Sequence, residues 1–230
     1  MKTIALLVLG GLFACSTPLH ATCRDNVVLV HGNAGSPSDF DNTRAELLAR
    51  GYGASQIFAP DWGSKFCPAC NDHSGSEEVP VESAMIDAIA SSCTGKIDVI
   101  GHSMGVTLAA REIDRLGMKR YIDSFVGIAG AWRGLRSCGV YPWNVMTTTC
   151  GAQGLSIGSP LITSLAGKKP AARAYSIKSW YDQIVCYGGL CTVGGVHSST
   201  IPGEDASYTY VTGHFGLLTG TAVKQVDLIQ

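Results

Sequence analysis

Short runs rich in aliphatic and β-branched residues alternate along this chain with stretches of helical periodicity, and that alternation narrows the possible folds more than any other feature. The runs are Asn26–Val30, Gln56–Ala59, Ile97–Ile100, Ser124–Ile128, Ala174–Ser179 and Tyr208–Val211. Several are apolar at successive positions rather than alternate ones, as strands buried on both faces require. Helical stretches lie between them: Asp41–Arg50 stopped by Gly51, Val81–Ser92 with Met85, Ile86 and Ile89 on one face, and Met104–Leu116 stopped by Gly117. A last helix is expected after Phe215. This order predicts an α/β fold: a mostly parallel central sheet of about six strands with helices on both faces.

The chain can fill such a fold. Of its 230 residues, 46% are hydrophobic and 15% charged, too little charge for disorder and enough apolar mass for one domain. Lys and Arg number 17 against 18 Asp and Glu, with no basic run, so nucleic acid is not an expected partner. Lys2, the apolar stretch Ile4–Ala14 and the small-residue site Leu19-His20-Ala21 read as a signal peptide over residues 1–21, leaving 22–230 as a single domain for a secreted or periplasmic protein. The stretch is too short to span a bilayer, and no later segment is a candidate span. A competing reading takes Leu12-Phe13-Ala14-Cys15 as a lipobox, with acylation at Cys15. Nothing in the sequence calls for an oligomer, so a monomer is expected.

Nine cysteines fit an oxidising compartment. Removing Cys15 with the signal leaves Cys23, Cys67, Cys70, Cys93, Cys138, Cys150, Cys186 and Cys191, an even set that allows 105 pairings. Proximity favours Cys67–Cys70, Cys138–Cys150 and Cys186–Cys191, which leaves Cys23 with Cys93. The rival is a zinc site at Cys67, Cys70 and His73, but a second Cys-x-x-Cys is missing. Two long connections stand out. Asp61–Pro80 carries Cys67 and Cys70; Trp132–Pro170 carries Cys138 and Cys150 with few helix or strand signals, and is read as a substrate wall or lid.

Gly101-His102-Ser103-Met104-Gly105 matches Gly-x-Ser-x-Gly, a pattern that chance supplies roughly 0.3 times in a chain of this Gly content. A second match, Gly154-Leu155-Ser156-Ile157-Gly158, shows how weak the pattern is alone. Context separates them. A nucleophile elbow needs a strand, a sharp turn with Ser at its tip and a helix directly after. Ser103 follows Lys96–Ile100 and precedes Met104–Leu116, whereas Ser156 has loop signals on both sides, with Ser159-Pro160 downstream.

A serine hydroxyl attacks at neutral pH only if a base takes its proton. His20 leaves with the signal, His31 and His102 sit beside Gly at strand ends where backbone roles are simpler, and His73 and His197 lie in polar loops. His214 follows the last strand at the carboxyl end of the sheet, where ligands meet such folds. Its acid partner is Asp182, just after Ala174–Ser179, which gives the chain order Ser, Asp, His; the runner-up is Asp205 in the turn Pro202-Gly203-Glu204-Asp205. The oxyanion donors are expected to be the backbone N–H groups of Met104, at the positive end of its helix, and Asn33, in the turn His31–Gly35.

With these residues placed, the chain resembles the secreted class 2 lipases of the α/β-hydrolase fold. The likeness rests on Val28–Asn33, Asp98–Gly105, Asp182–Val185 and Gly213–Leu218, four motifs in order over most of the chain. It implies a minimal α/β-hydrolase fold and carboxylic-ester hydrolysis by Ser103, His214 and Asp182, with no metal or organic cofactor. A narrower likeness, to lipase-like extracellular poly(3-hydroxybutyrate) depolymerases, rests on Gly130–Cys138, Thr149–Gln153, and Asp182-Gln183 with Cys186 and Cys191 downstream.

The expected partner is therefore a lipid or ester substrate, at an oil–water or polymer surface. Trp132, Tyr141, Trp143 and Val145, with Leu161 and Ile162, are candidates for an apolar acyl pocket, and equally for the underside of a lid or for ordinary core. A reading from another class, a binding protein that kept the fold and lost its activity, is opposed by the ordered Ser, Asp and His. A base that must be neutral gives a testable outcome. Ester hydrolysis should rise with pH through the range where an imidazole loses its proton, ~6.5 for an ordinary one, and a rate flat from acid to alkaline pH would contradict the assignment.

Overall fold

A computed structural model describes residues 23–143 and 146–230. The proposed signal (1–21), Cys15 and Val145 lie outside them. The strands are β1 (Asn26–Val30), β2 (Ile57–Phe58), β3 (Ile97–His102), β4 (Ile122–Ile128), β5 (Leu135–Val140), β6 (Ser156–Ile157), β7 (Arg173–Lys178), β8 (Thr192–Val193), β9 (Val196–His197) and β10 (Ala206–Thr209). The helices are α1 (Asp41–Ala49), α2 (Glu78–Ser91), α3 (Met104–Arg115), α4 (Pro160–Leu165), α5 (His214–Gly220) and α6 (Ala222–Asp227).

Six strands form one sheet in the order β10-β7-β4-β3-β1-β2, and every neighbouring pair is parallel. The chain leaves β1 for the edge strand β2 and returns as β3 on the other side of β1, so the connections diverge between β1 and β3. At such a switch point the loops at the carboxyl ends of two adjacent strands part and open a crevice. Those loops carry His31–Gly35 and Ser103. The sheet is covered on both sides, as its unbroken apolar runs require. Val28, Val30, Val99 and Phe125 pack with Val81, Met85, Leu108 and Ile113 of α2 and α3. Val27, Leu29, Ile100 and Val126 pack with Leu47, Leu217 and Val226 of α1, α5 and α6.

Two expectations about elements need correction. The last strand starts at Ala206, two residues earlier than Tyr208, and Val211 is exposed beyond its end. It is an edge strand whose residues alternate between half-buried and exposed, so aliphatic density marks its position poorly. The connection Trp132–Pro170 is not structureless. It holds the short parallel pair β5–β6 and helix α4. Ser159-Pro160, read as loop, is a helix start: the Ser159 side chain accepts the N–H of Ile162, and Pro160 occupies the first helical position.

The four disulfides are Cys23–Cys93, Cys67–Cys70, Cys138–Cys150 and Cys186–Cys191, the pairs that proximity favoured. Such a set fits an extracellular or periplasmic compartment. Among the described residues, no helix is long and apolar enough to cross a membrane. The zinc reading fails because Cys67 and Cys70 bond each other and His73 is engaged elsewhere. His73 is fully buried, with Nδ1–H donating to the Gln153 carbonyl at 2.9 Å and Nε2 2.7 Å from Thr107 Oγ1, so it pins the Asp61–Pro80 connection to α3.

Burial first, and then the charge of Arg111, push the His73 imidazole down to about 4, against the opposing pull of the Gln153 and Met104 carbonyls. An unfolded chain takes up that proton near ~6.5, so between the two values the unfolded state binds more protons and stability falls as pH drops. His73→Gln should shrink the loss of unfolding free energy between about pH 7 and about pH 5 by about 2 kcal/mol, read from urea melts with disulfides intact. An unchanged pH slope would mean that this imidazole titrates alike in both states.

Candidate active site

Strand β3 ends at His102 and α3 begins at Met104, so Ser103 alone makes the turn between them, with φ 54° and ψ −127°. A residue with a Cβ avoids positive φ, at a cost on the order of 1–3 kcal/mol, unless its surroundings enforce it. Here they do. The Ser103 N–H donates to the Ile128 carbonyl at 2.8 Å, and α3 sits so close to β1 that a Cβ on Gly105 would lie 2.2 Å from the His31 carbonyl oxygen. Ser156 is built differently. It is fully buried, and its hydroxyl faces the Cys138 and Cys150 carbonyls, so it ties the two disulfide-bonded segments together.

His214 opens α5, at the same carboxyl edge of the sheet, and Asp182 lies in the loop after β7. The two are buried, and His214 Nδ1 lies 2.9 and 2.8 Å from the two Asp182 oxygens. Nδ1–H therefore donates to the carboxylate, which leaves the Nε2 lone pair free. The Ile184 and Val185 N–H groups also donate to Asp182 Oδ1, each at 2.9 Å. Burial alone would raise the Asp182 carboxyl, but the hydrogen bond and charge of His214, with those two amides, hold it below its ordinary range. Asp205 is elsewhere. It precedes β10 at the opposite end of the sheet, accepts the Ala174 N–H at 2.7 Å and pairs with Lys169 at 2.8 Å.

Ser103 and His214 line one cavity of about 530 Å³, which also takes in Asn33, Ile184, Phe215 and Leu218. Among the described residues, Ser103 Oγ and His214 Nε2 form no hydrogen bond; such contacts are often long until substrate binds. Asn33 reaches the cavity from the turn after β1. Met104, at the first position of α3, has an N–H without an intrahelical acceptor.

The expected acyl pocket is not at this cavity. Trp132 is buried edge-on against Phe125, donates from Nε1 to the Leu165 carbonyl at 3.3 Å, and borders a separate cavity of about 370 Å³ beside α3 and α4. Leu161 and Ile162 are core residues of α4. Tyr141 is half-buried in the turn after β5, and Trp143 is exposed. Among the described residues, none lining the Ser103 cavity comes from 132–170; Leu161, Ile162 and Leu165 of α4 pack into the core with α3 instead. The described part of the segment therefore contributes no wall to this cavity.

Several site residues went unread in the sequence. Gln183 Oε1 accepts the His214 N–H at 3.0 Å, and His102 Nε2–H donates to the His214 carbonyl at 3.3 Å. Burial, then the charge of His214, push the His102 ring down to about 3, which keeps it neutral as that donor. Both residues lie inside the motifs, yet the motifs give no sign of which way either side chain points. Among the described residues, two clusters have metal-ligand composition. Cys186 and Cys191, near His197, are consumed by their disulfide; Asp25, Asp98 and Asp123 lie near the start of the strands, where Arg173 pairs with Asp123 at 2.6 Å. The contrast between the two aspartates is testable: Asp182→Asn should lower kcat for ester hydrolysis by about 10⁴, and Asp205→Asn should leave it within about two-fold.

The sequence pattern of the class 2 lipases matches residues 24–227. Among solved structures, Aspergillus fumigatus lipase B superposes with a TM-score of 0.58 at 21% identity, over 85% of this chain and 49% of that one. Bacillus licheniformis lipase BlEst2, in its propeptide form, gives 0.63 at 12% identity over 91% and 51%. A Pyrobaculum calidifontis esterase gives 0.54 at 20% identity over 88% and 72%. At these identities the structures share the α/β-hydrolase fold, and the chain spans about half the length of the first two. The family match spans every strand of the sheet, and on that ground the chain belongs to the class 2 lipase family.

Proposed function

We propose that this protein is an exported serine carboxylic-ester hydrolase acting on acylglycerol-type substrates. One observation carries the reading: His214, hydrogen-bonded to the buried Asp182, lines one cavity with a serine on a strained strand-to-helix turn. Ser103 Oγ attacks the ester carbonyl carbon while His214 Nε2 takes its proton, and the Asn33 and Met104 amides hold the oxyanion. The imidazolium, stabilised by Asp182, then protonates the departing alkoxide. Water repeats the sequence on the acyl-enzyme and frees the acid. The segment 1–21 directs export.

The surface around the cavity supports an ester presented at an apolar boundary. Trp180, Tyr181, Tyr187 and Leu190, on the loop that follows β7, are exposed, as are Val211 and Phe215 near His214. Large apolar side chains left in water on the loop after β7, just past β10 and on α5 favour contact with another apolar surface. The three aromatic rings among them on the 180–190 loop also favour a second reading, a polyester depolymerase that lies on solid polymer.

Labelling by a fluorophosphonate should vanish in Ser103→Ala and persist in Ser156→Ala; persistence in Ser103→Ala would mean a different nucleophile, and no labelling of the wild type would leave a binding protein. Hydrolysis of short nitrophenyl esters, emulsified long-chain triglyceride and hydroxybutyrate polymer then separates the substrate classes. Preference for triglyceride supports the first reading, and preference for polymer supports the second.

A further inference from the structure

The turn after β1, which brings Asn33 to the cavity, is gripped from outside by the segment Asp61–Asn71. On its inner side, His31 stacks on Trp62 with ring centroids 5.3 Å apart, and the Trp62 indole N–H donates to the His31 carbonyl at 3.0 Å. The His31 ring spans the turn, with Nδ1–H donating to the Gly32 carbonyl at 2.8 Å and Nε2 accepting the Trp62 N–H at 3.2 Å. On its outer side the contacts run through the Asn33 side chain. Asn33 Nδ2 donates to the Pro68 carbonyl at 3.0 Å, and Asn33 Oδ1 accepts from Asn71 Nδ2 at 2.6 Å.

Asn71 has no accessible surface, and its amide is committed at both ends: Oδ1 accepts the Ser64 N–H at 2.7 Å, and Nδ2 also donates to the Ser64 carbonyl at 2.9 Å. Every orientation in this chain is fixed by a backbone group that can act in only one sense. Pro68 offers only a carbonyl, so Asn33 must turn Nδ2 to it and Oδ1 to Asn71. Ser64 N–H can only donate, so Asn71 must turn Oδ1 to it and Nδ2 to Asn33. The Cys67–Cys70 disulfide closes the turn that presents Pro68, and the Thr149 hydroxyl meets the Pro68 and Asn71 carbonyls at 2.8 and 2.6 Å.

We propose that Asn71 is a positioning residue for catalysis, holding the Asn33 backbone N–H where the oxyanion forms by fixing the Asn33 side chain. The inference rests on the reading of Asn33 N–H as an oxyanion donor. The Asn33 side chain, with both ends of its amide taken by Pro68 and Asn71, then sets the direction of its own backbone N–H. A donor's value in the transition state depends on its aim, and a displacement of about 1 Å can cost about 10²-fold in rate.

The test is steady-state hydrolysis of a soluble nitrophenyl ester by Asn71→Ala, Asn71→Asp, Asn33→Ala and the Asn33→Ala/Asn71→Ala double variant, with a thermal melt for each. Asn71→Asp keeps the size and the Ser64 N–H bond but sets an oxygen against Asn33 Oδ1, so it reports on the clamp even if the alanine variant fails to fold. The expected result is kcat lower by about 10- to 100-fold in each folded single variant, KM within about two-fold, and a double variant no slower than the slower single. Wild-type kcat in folded Asn71→Asp, a loss confined to KM, or losses that multiply in the double variant would each overturn the inference. Ser103→Ala serves as the reference: if it retains activity, the serine reading itself is wrong, and if it is inactive while Asn71→Asp is unimpaired, only the clamp is.

Discussion

Helix α3 sits on strand β1 at a distance that leaves no room for a side chain on Gly105, and much of the site follows from that closeness. Because the helix must begin there, the single residue joining it to β3 is forced to positive φ, and a serine in that position carries its hydroxyl up to the crevice rather than into either flanking layer. The same approach brings the first turn of α3 beside the turn after β1. Asn33 and Ser103, about seventy residues apart in sequence, thus border one cavity. The local cost, on the order of 1–3 kcal/mol, is small against the burial of β1, β3 and α3 in two apolar layers.

The sheet order supplies the rest of the geometry. With all six strands parallel, each connection of one kind ends on one edge, so the loops after β1, β3, β7 and β10 collect there whatever their separation in the chain. Asp182 and His214 meet because β7 and β10 are neighbours, and two backbone amides together with the imidazole keep the carboxyl ionised despite its burial. Gln183 and His102 then hold the His214 backbone from its N–H and its carbonyl, so the ring is fixed through the main chain as well as through Nδ1.

Much of this was legible in the sequence because the signals were local. Ser103 could be told from Ser156 by the strand before it and the helix after it, and three of the four disulfides join cysteines close in sequence. What stayed hidden depended on where side chains travel in three dimensions. Trp132, Leu161 and Ile162 read equally as pocket or core, and only the short helix α4, whose start at Ser159-Pro160 resembles a loop, turns Leu161 and Ile162 inward and offers Trp132 the Leu165 carbonyl. His73 looked like a loop histidine, yet it is fully buried against α3, since the polar residues around it describe its sequence neighbours rather than its contacts. Ile184, Phe215 and Leu218 lay inside the quoted motifs, but nothing in a motif distinguishes a residue that lines a cavity from one that supports it.

The two disulfide-tied connections divide the work in a way that neither shows alone. Asp61–Asn71 grips the turn that carries Asn33, and Thr149, within the span of Cys138–Cys150, in turn holds Pro68 and Asn71. Thr149 is itself fixed from behind, because its carbonyl accepts the Leu155 N–H at 2.7 Å and a Cβ on Gly154 would collide with it. A short sheet can place residues only at its strand ends, and everything that orients them must come from loops. Loops hold an orientation poorly unless their unfolded freedom is reduced or their polar groups are satisfied inside the protein. Here each supporting loop has both, a cross-link that shortens it and a polar side chain, the buried Asn71 amide or the half-buried Thr149 hydroxyl, that ties it to its neighbour.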